Sequence, residues 1–112
     1  MTCLLALENT QLTDEVTMTA TGVSGVTDGG ASISSQVDEV FTVEQCLYAI
    51  MVASANDIAL QIAEHVGGSV DGFVQQMNTR AQELGCTNTV FTNPTGLPDD
   101  NQHTTAHDMA LI

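Results

Sequence analysis

Ala53-Ser54-Ala55-Asn56-Asp57 separates two apolar runs patterned as helices, Val43 to Val52 before it and Ile58 to Val66 after it. A break between two packed helices can turn a serine and an asparagine two residues apart into one cleft. The serine hydroxyl brings a donor and an acceptor, and the asparagine amide two donors and an acceptor. Such a pair suits a proton relay or a substrate clamp. The plainer reading makes Ser54 the cap of the following helix, because Ser54-x-x-Asp57 has the form of a capping box.

Working outward, Thr42-x-x-Gln45 is a capping box with Phe41 before it as a staple residue. It opens a helix that carries Cys46, Leu47, Ile50 and Met51 at helical spacing. Beyond the break, Ile58, Ala59, Ile62, Ala63 and Val66 form an apolar stripe that stops at Gly67-Gly68. Ser69 caps a further helix with Phe73, Val74, Met77, Ala81 and Leu84 on its apolar side, and Gly85 closes it. Each large side chain on these stripes is worth roughly 1.5–3 kcal/mol when buried, so packing between helices should hold the fold.

Toward the beginning, Thr2 to Leu7 reads as the tail of a helix, broken at Asn9-Thr10-Gln11. Val16 to Ala20 alternates apolar and polar and reads as a half-buried strand. Gly22 to Gly30 reads as loop, Ala31 to Ser34 as a second short extended piece, and Asp38 to Phe41 as the lead into the helix. Toward the end, Cys86 to Gln102 is irregular and longer than ordinary connections, tethered by Val90, Phe91 and Leu97. Thr105-x-x-Asp108 is a third capping box, opening a helix that continues to Ile112. The expected class is mainly α with a short β element. Residues 1–112 make a single partial domain, since both terminal helices read as cut from something larger.

Bulk properties narrow the function. The 112 residues carry 14 acidic side chains, no lysine and one arginine, Arg80, for a formal charge of −13. That charge argues against nucleic acid and anionic membrane as partners. No side chain here can serve as a catalytic lysine. Hydrophobic residues make up 43% of the chain, enough for a core. No apolar run is long enough to span a bilayer, and no signal peptide is visible. Cys3, Cys46 and Cys86 fit neither a disulfide framework nor a zinc pattern; Cys3 and Cys46 read as small buried hydrophobes. His103 and His107 are four apart beside Asp108, but the cap at Thr105 separates them, and neither a metal nor a cofactor is expected. His65 suits the last turn of its helix. Met18, Met51, Met77 and Met109 read as packing residues.

Taken in order, several segments resemble one family. These are Met1-Thr2-x-Leu4-Leu5-Ala6-Leu7-Glu8, Gly30-Ala31-Ser32-Ile33, Leu47-Tyr48-Ala49-Ile50 and Ser54-Ala55-Asn56-Asp57. Ala63-Glu64-His65-Val66-x-Gly68-Ser69 and Phe73-Val74-x-x-Met77-Asn78 follow. Leu84-Gly85-Cys86-Thr87-Asn88-Thr89-x-Phe91-x-Asn93-Pro94-x-Gly96-Leu97 is the most specific, and Thr104-Thr105-Ala106-x-Asp108-Met109-Ala110 closes the series. Together they resemble the serine-type D-alanyl-D-alanine carboxypeptidases, low-molecular-mass penicillin-binding proteins that trim peptidoglycan stem peptides. The family works with Ser-x-x-Lys, Ser-x-Asn and Lys-Thr-Gly.

The resemblance implies the helical subdomain of the β-lactamase-like, transpeptidase-like fold, and an extracytoplasmic parent that binds D-Ala-D-Ala stem peptides and β-lactams. It assigns Ser54 and Asn56 to the second motif, the serine relaying protons toward the leaving D-alanine and the asparagine bonding the substrate amide. Neither of the other two motifs occurs here. The chain alone is therefore expected neither to hydrolyse D-Ala-D-Ala nor to gain mass on treatment with penicillin. Ala53 stands where proline is common in the family and Thr95 where histidine is common, which alters the cleft rim. The alternative reading is a non-catalytic helical module that binds peptidoglycan or a protein, and exposed apolar faces would favour a homodimer.

Overall fold

The computed structural model describes residues 1–26 and 30–112. Its elements are α1 (Thr2–Asn9), β1 (Glu15–Thr17), α2 (Ala20–Ser24), β2 (Val40–Thr42), α3 (Val43–Ala53), α4 (Asn56–Gly67), α5 (Val70–Glu83) and α6 (Ala106–Leu111). The helix after the pentapeptide, α4, is the axis of the molecule, and α1, α2, α3, α5 and β1 all pack on it. Ile58, Ala59, Ile62 and Ala63 are buried as their spacing requires. One cluster joins Val16, Met18, Val43, Cys46, Ile58 and Ile62. A second joins Leu5, Ala63, Phe73 and Met77.

Local chemistry sets most boundaries where the sequence puts them. At the start of α3 the Thr42 hydroxyl accepts from the Gln45 N–H at 3.2 Å, and the Gln45 side chain accepts from the Thr42 N–H at 2.8 Å. Phe41 packs on the cluster that holds Cys46. After α4, Gly68 takes φ 72°, a backbone that would cost an L side chain roughly 1–2 kcal/mol. Ser69 then caps α5 by accepting from the Gly72 N–H at 3.0 Å. Arg80 on α5 donates to both Glu8 oxygens and to Glu83, pinning α5 to α1.

The sheet departs from expectation. β1 and β2 pair antiparallel with Val16 opposite Phe41, so the second strand is Val40–Thr42, not Ala31 to Ser34. The first strand stops at Thr17. Thr19 then accepts from the Thr21 N–H and starts α2, which occupies part of the Gly22 to Gly30 stretch read as loop; residues 27–29 of that stretch lie outside the described residues. Tertiary contact explains the change. The Thr19 and Thr21 hydroxyls both donate to Glu64 on α4 at 2.6 Å. A Cβ at Gly22 would lie 2.6 Å from the Met18 methyl and 2.9 Å from the Asp57 carbonyl oxygen, so only glycine lets α2 approach α4 this closely.

The long segment after α5 is ordered by side chains reading backbone. Asn78 on α5 accepts from the Phe91 N–H and donates to the Phe91 carbonyl, both at 2.8 Å. Val90 pairs with His103 in an isolated antiparallel bridge. Of the expected tethers, Phe91 packs on the second cluster and Leu97 is half-buried, whereas Val90 keeps 37% of its surface exposed. Only half of the third capping box forms. Thr105 accepts from the Asp108 N–H, but the Asp108 carboxylate accepts from the Asn88 N–H and the Thr89 hydroxyl instead. Met51 and Met109 are exposed, contrary to expectation, while Met18 and Met77 are buried. All three cysteines are free; Cys46 and Cys86 are buried and Cys3 only partly so.

Candidate active-site segment

Ser54 ends α3 with φ 54° and ψ 38°, a left-handed conformation. The N–H groups of Ser54 and Ala55 both turn back to the Ala49 carbonyl. Ser54 therefore does not cap α4. The residue at that position is Ala55, whose side chain has nothing to offer, and the expected Ser54–Asp57 box is absent. Ser54 is exposed and Asn56 nearly buried at 5%. Among the described residues, neither the Ser54 hydroxyl nor the Asn56 amide has a hydrogen-bond partner.

The first N–H of α4 is satisfied from 25 residues upstream. The Ala31 carbonyl accepts from the Asn56 N–H at 2.8 Å. The Asp57 carboxylate accepts from the Ser35 hydroxyl at 2.7 Å, the Ser35 N–H at 3.1 Å and, longer, the Ile33 N–H at 3.4 Å. Burial pushes the Asp57 carboxyl up, but the Ser35 and Ser32 hydroxyls and the Ser35 and Ile33 amides outweigh it and hold the group below its ordinary value. Asp57 is thus a buried anion stabilised by neutral donors, at the N-terminus of a helix, which itself favours negative charge. Ser34, between the two anchored residues, has φ 58°.

A cavity of about 280 Å³ lies nearby in the chain, between the first turn of α1, Ile50 and Met51 on α3, and the Asn93-Pro94-Thr95-Gly96 turn. The Thr2 hydroxyl donates to the Pro94 carbonyl at 2.7 Å and fastens two of these walls together. Asn93 shapes the turn by accepting from the Gly96 N–H and the Thr95 hydroxyl and donating to the Leu97 carbonyl. Four segments that carry the family resemblance, Met77 on α5 included, therefore meet at one cavity, with Thr95 on its rim. Ser54 and Asn56 do not line it.

Arg80, the only arginine or lysine, is occupied by Glu8 and Glu83. Burial pushes the Cys46 thiol up to about 11, so it stays a neutral packing group. His103 bonds the Asn101 carbonyl and His107 lies 3.4 Å from the Asp108 carboxylate. The side chains that organise the segment (Asp57, Asn78 and Asp108) all fall within the resembling stretches, yet the sequence gives no hint of their partners, which lie 13 to 24 residues away.

Over residues 1–112 the sequence matches the family described as D-alanyl-D-alanine carboxypeptidase. It is 38% identical over 117 residues to the D-alanyl-D-alanine carboxypeptidase DacF of Bacillus subtilis, covering 100% of this chain and 29% of that protein. The crystal structure of DacD from Francisella tularensis superposes with a TM-score of 0.88 at 32% identity, over 98% of this chain and 27% of that one. The Streptomyces K15 DD-transpeptidase superposes with a TM-score of 0.89 at 28% identity, over 98% of this chain and 45% of that one. The chain spans less than half the length of each of these proteins.

Proposed function

Because the chain belongs to the D-alanyl-D-alanine carboxypeptidase family, we propose that it supplies the second-motif wall of a cleft that removes the terminal D-alanine from peptidoglycan stem peptides. The observation that carries this reading is the pair of unspent polar groups at the α3–α4 break. Ser54 holds an unfavourable left-handed backbone where glycine would be relaxed. Strain of this kind is kept where a side chain is needed, and here the side chain is an exposed hydroxyl with no structural task. Asn56 follows two residues later with an amide equally uncommitted among the described residues.

The chemistry follows from those groups. A family serine attacks the carbonyl of the penultimate D-alanine, an acyl-enzyme forms, D-alanine leaves as an amine, and water releases the acyl group. The departing nitrogen needs a proton, and a hydroxyl that both donates and accepts can pass one to it. The Asn56 amide orients the peptide by bonding its backbone. The attacking serine, its lysine and the Lys-Thr-Gly strand are not among these 112 residues, so the full reaction requires those groups in addition. Such an enzyme meets its substrate outside the cytoplasmic membrane, and β-lactams would acylate the same serine.

The test is a hybrid in which these 112 residues replace the matching segment of the Bacillus subtilis relative. The hybrid should release D-alanine from a D-Ala-D-Ala peptide. S54A and N56A in that hybrid should each lower kcat by roughly 10²–10³-fold, as expected for a lost proton relay or a lost transition-state donor. Full activity in both variants would refute the assignment.

A second reading concerns association. Tyr48, Met51 and Val52 on α3 are 66%, 73% and 82% exposed, and Leu12, Leu47, Tyr48 and Met51 line a second open hollow of about 270 Å³. An apolar face of this kind favours contact with another polypeptide surface, a homodimer included.

A further inference from the structure

The unused Ser54 hydroxyl has a structural cause, and it lies in the segment from Ala31 to Ser35. A helix start leaves its first N–H groups without intrahelical partners. In α4 the Asn56 N–H goes to the Ala31 carbonyl, and the carboxylate two positions into the helix accepts from Ile33 and Ser35. In a local capping box the Ser54 hydroxyl would instead accept from an N–H of the first turn of α4, and the Asp57 carboxylate would accept from the Ser54 N–H. We propose that Asp57 is a positioning residue: by latching residues 31–35 beside the first turn of α4, it holds the Ala31 carbonyl on the Asn56 N–H and leaves Ser54 free to face substrate.

This inference rests on the reading of Ser54 given above. Two further observations support it. Asp57 is 1% exposed and Ser35 4% exposed, so their 2.7 Å bond is shielded from competing water. The segment also holds a non-glycine residue, Ser34, at φ 58°, a conformation that survives only where its neighbours are fixed. Without the latch, the cheapest arrangement of the break is the one the sequence suggests, with Ser54 turned onto the α4 N–H groups and its hydroxyl consumed.

D57N and S35A test the latch at two points, and S35A keeps Asp57 and its helix intact should D57N fold poorly. In the 112-residue chain, both variants should speed amide hydrogen exchange at Ile33, Ser35 and Asn56 by about tenfold or more, while exchange at Ile62 in the core stays slow. In the hybrid enzyme, both should lower kcat by roughly 10- to 100-fold with KM little changed, the loss expected when a reacting group is displaced by about 1 Å. The same substitutions placed on S54A should cost almost nothing further, because their effect runs through Ser54. Equal losses with and without Ser54, unchanged kcat in both variants, or unchanged exchange at residues 31–35 would overturn the latch. A hybrid without activity even with Asp57 and Ser35 intact would instead overturn the functional reading on which it stands.

Discussion

At Ser54 the backbone and the side chain have opposing interests. The left-handed conformation costs roughly 1–2 kcal/mol for an L residue, and glycine would remove that cost while adding some unfolded-state entropy. S54G in the 112-residue chain is therefore expected to raise the free energy of unfolding in urea by about 0.5–1 kcal/mol. The same change in the hybrid should remove most of the activity. A stability lower than that of the unchanged chain would show that the serine side chain has a structural bond after all. The serine and the asparagine were singled out by their spacing together with the order of the resembling segments around them. That Ser54 would not be a cap was not legible, because the Asn56 N–H goes to the Ala31 carbonyl, and local pattern carries no information about a partner more than 20 residues away.

Elements follow the same division. The capping box at Thr42, the cap at Ser69 and the stripes of α4 and α5 act within one or two helical turns, and the sequence states them directly. The strand assignment failed at Ala31 to Ser34 for a physical reason: a short β-branched and aromatic piece, Val40–Thr42, pairs better with Val16 than a serine-rich piece already held by Asp57. The long segment after α5 depends on one side chain for its register. N78A would leave both backbone groups of Phe91 without their partners. It is expected to cost about 2–3 kcal/mol in urea unfolding and to speed exchange of the Phe91 amide. A cost below about 0.5 kcal/mol would mean that water replaces the clip without penalty.

Across the molecule, a formal charge of −13 with one arginine makes self-repulsion the dominant long-range term. Raising salt from 0.01 M to 0.15 M shortens the screening length from about 30 Å to about 8 Å. The urea midpoint should therefore rise with sodium chloride, and sedimentation should show more self-association through the apolar side of α3. A midpoint that falls with salt would mean that the Arg80 ion pairs outweigh the repulsion. The sequence by itself determined the helix periods, most caps and the family, since these rest on spacing of a few residues or on order along the chain. Only the tertiary structure decided that α2 is a helix, that α3 keeps a bare apolar face, and that Asp57 and Asn78 serve distant backbone. Hydrogen bonds and close approach between remote segments are properties of the packed molecule, and no local pattern encodes which remote group will arrive.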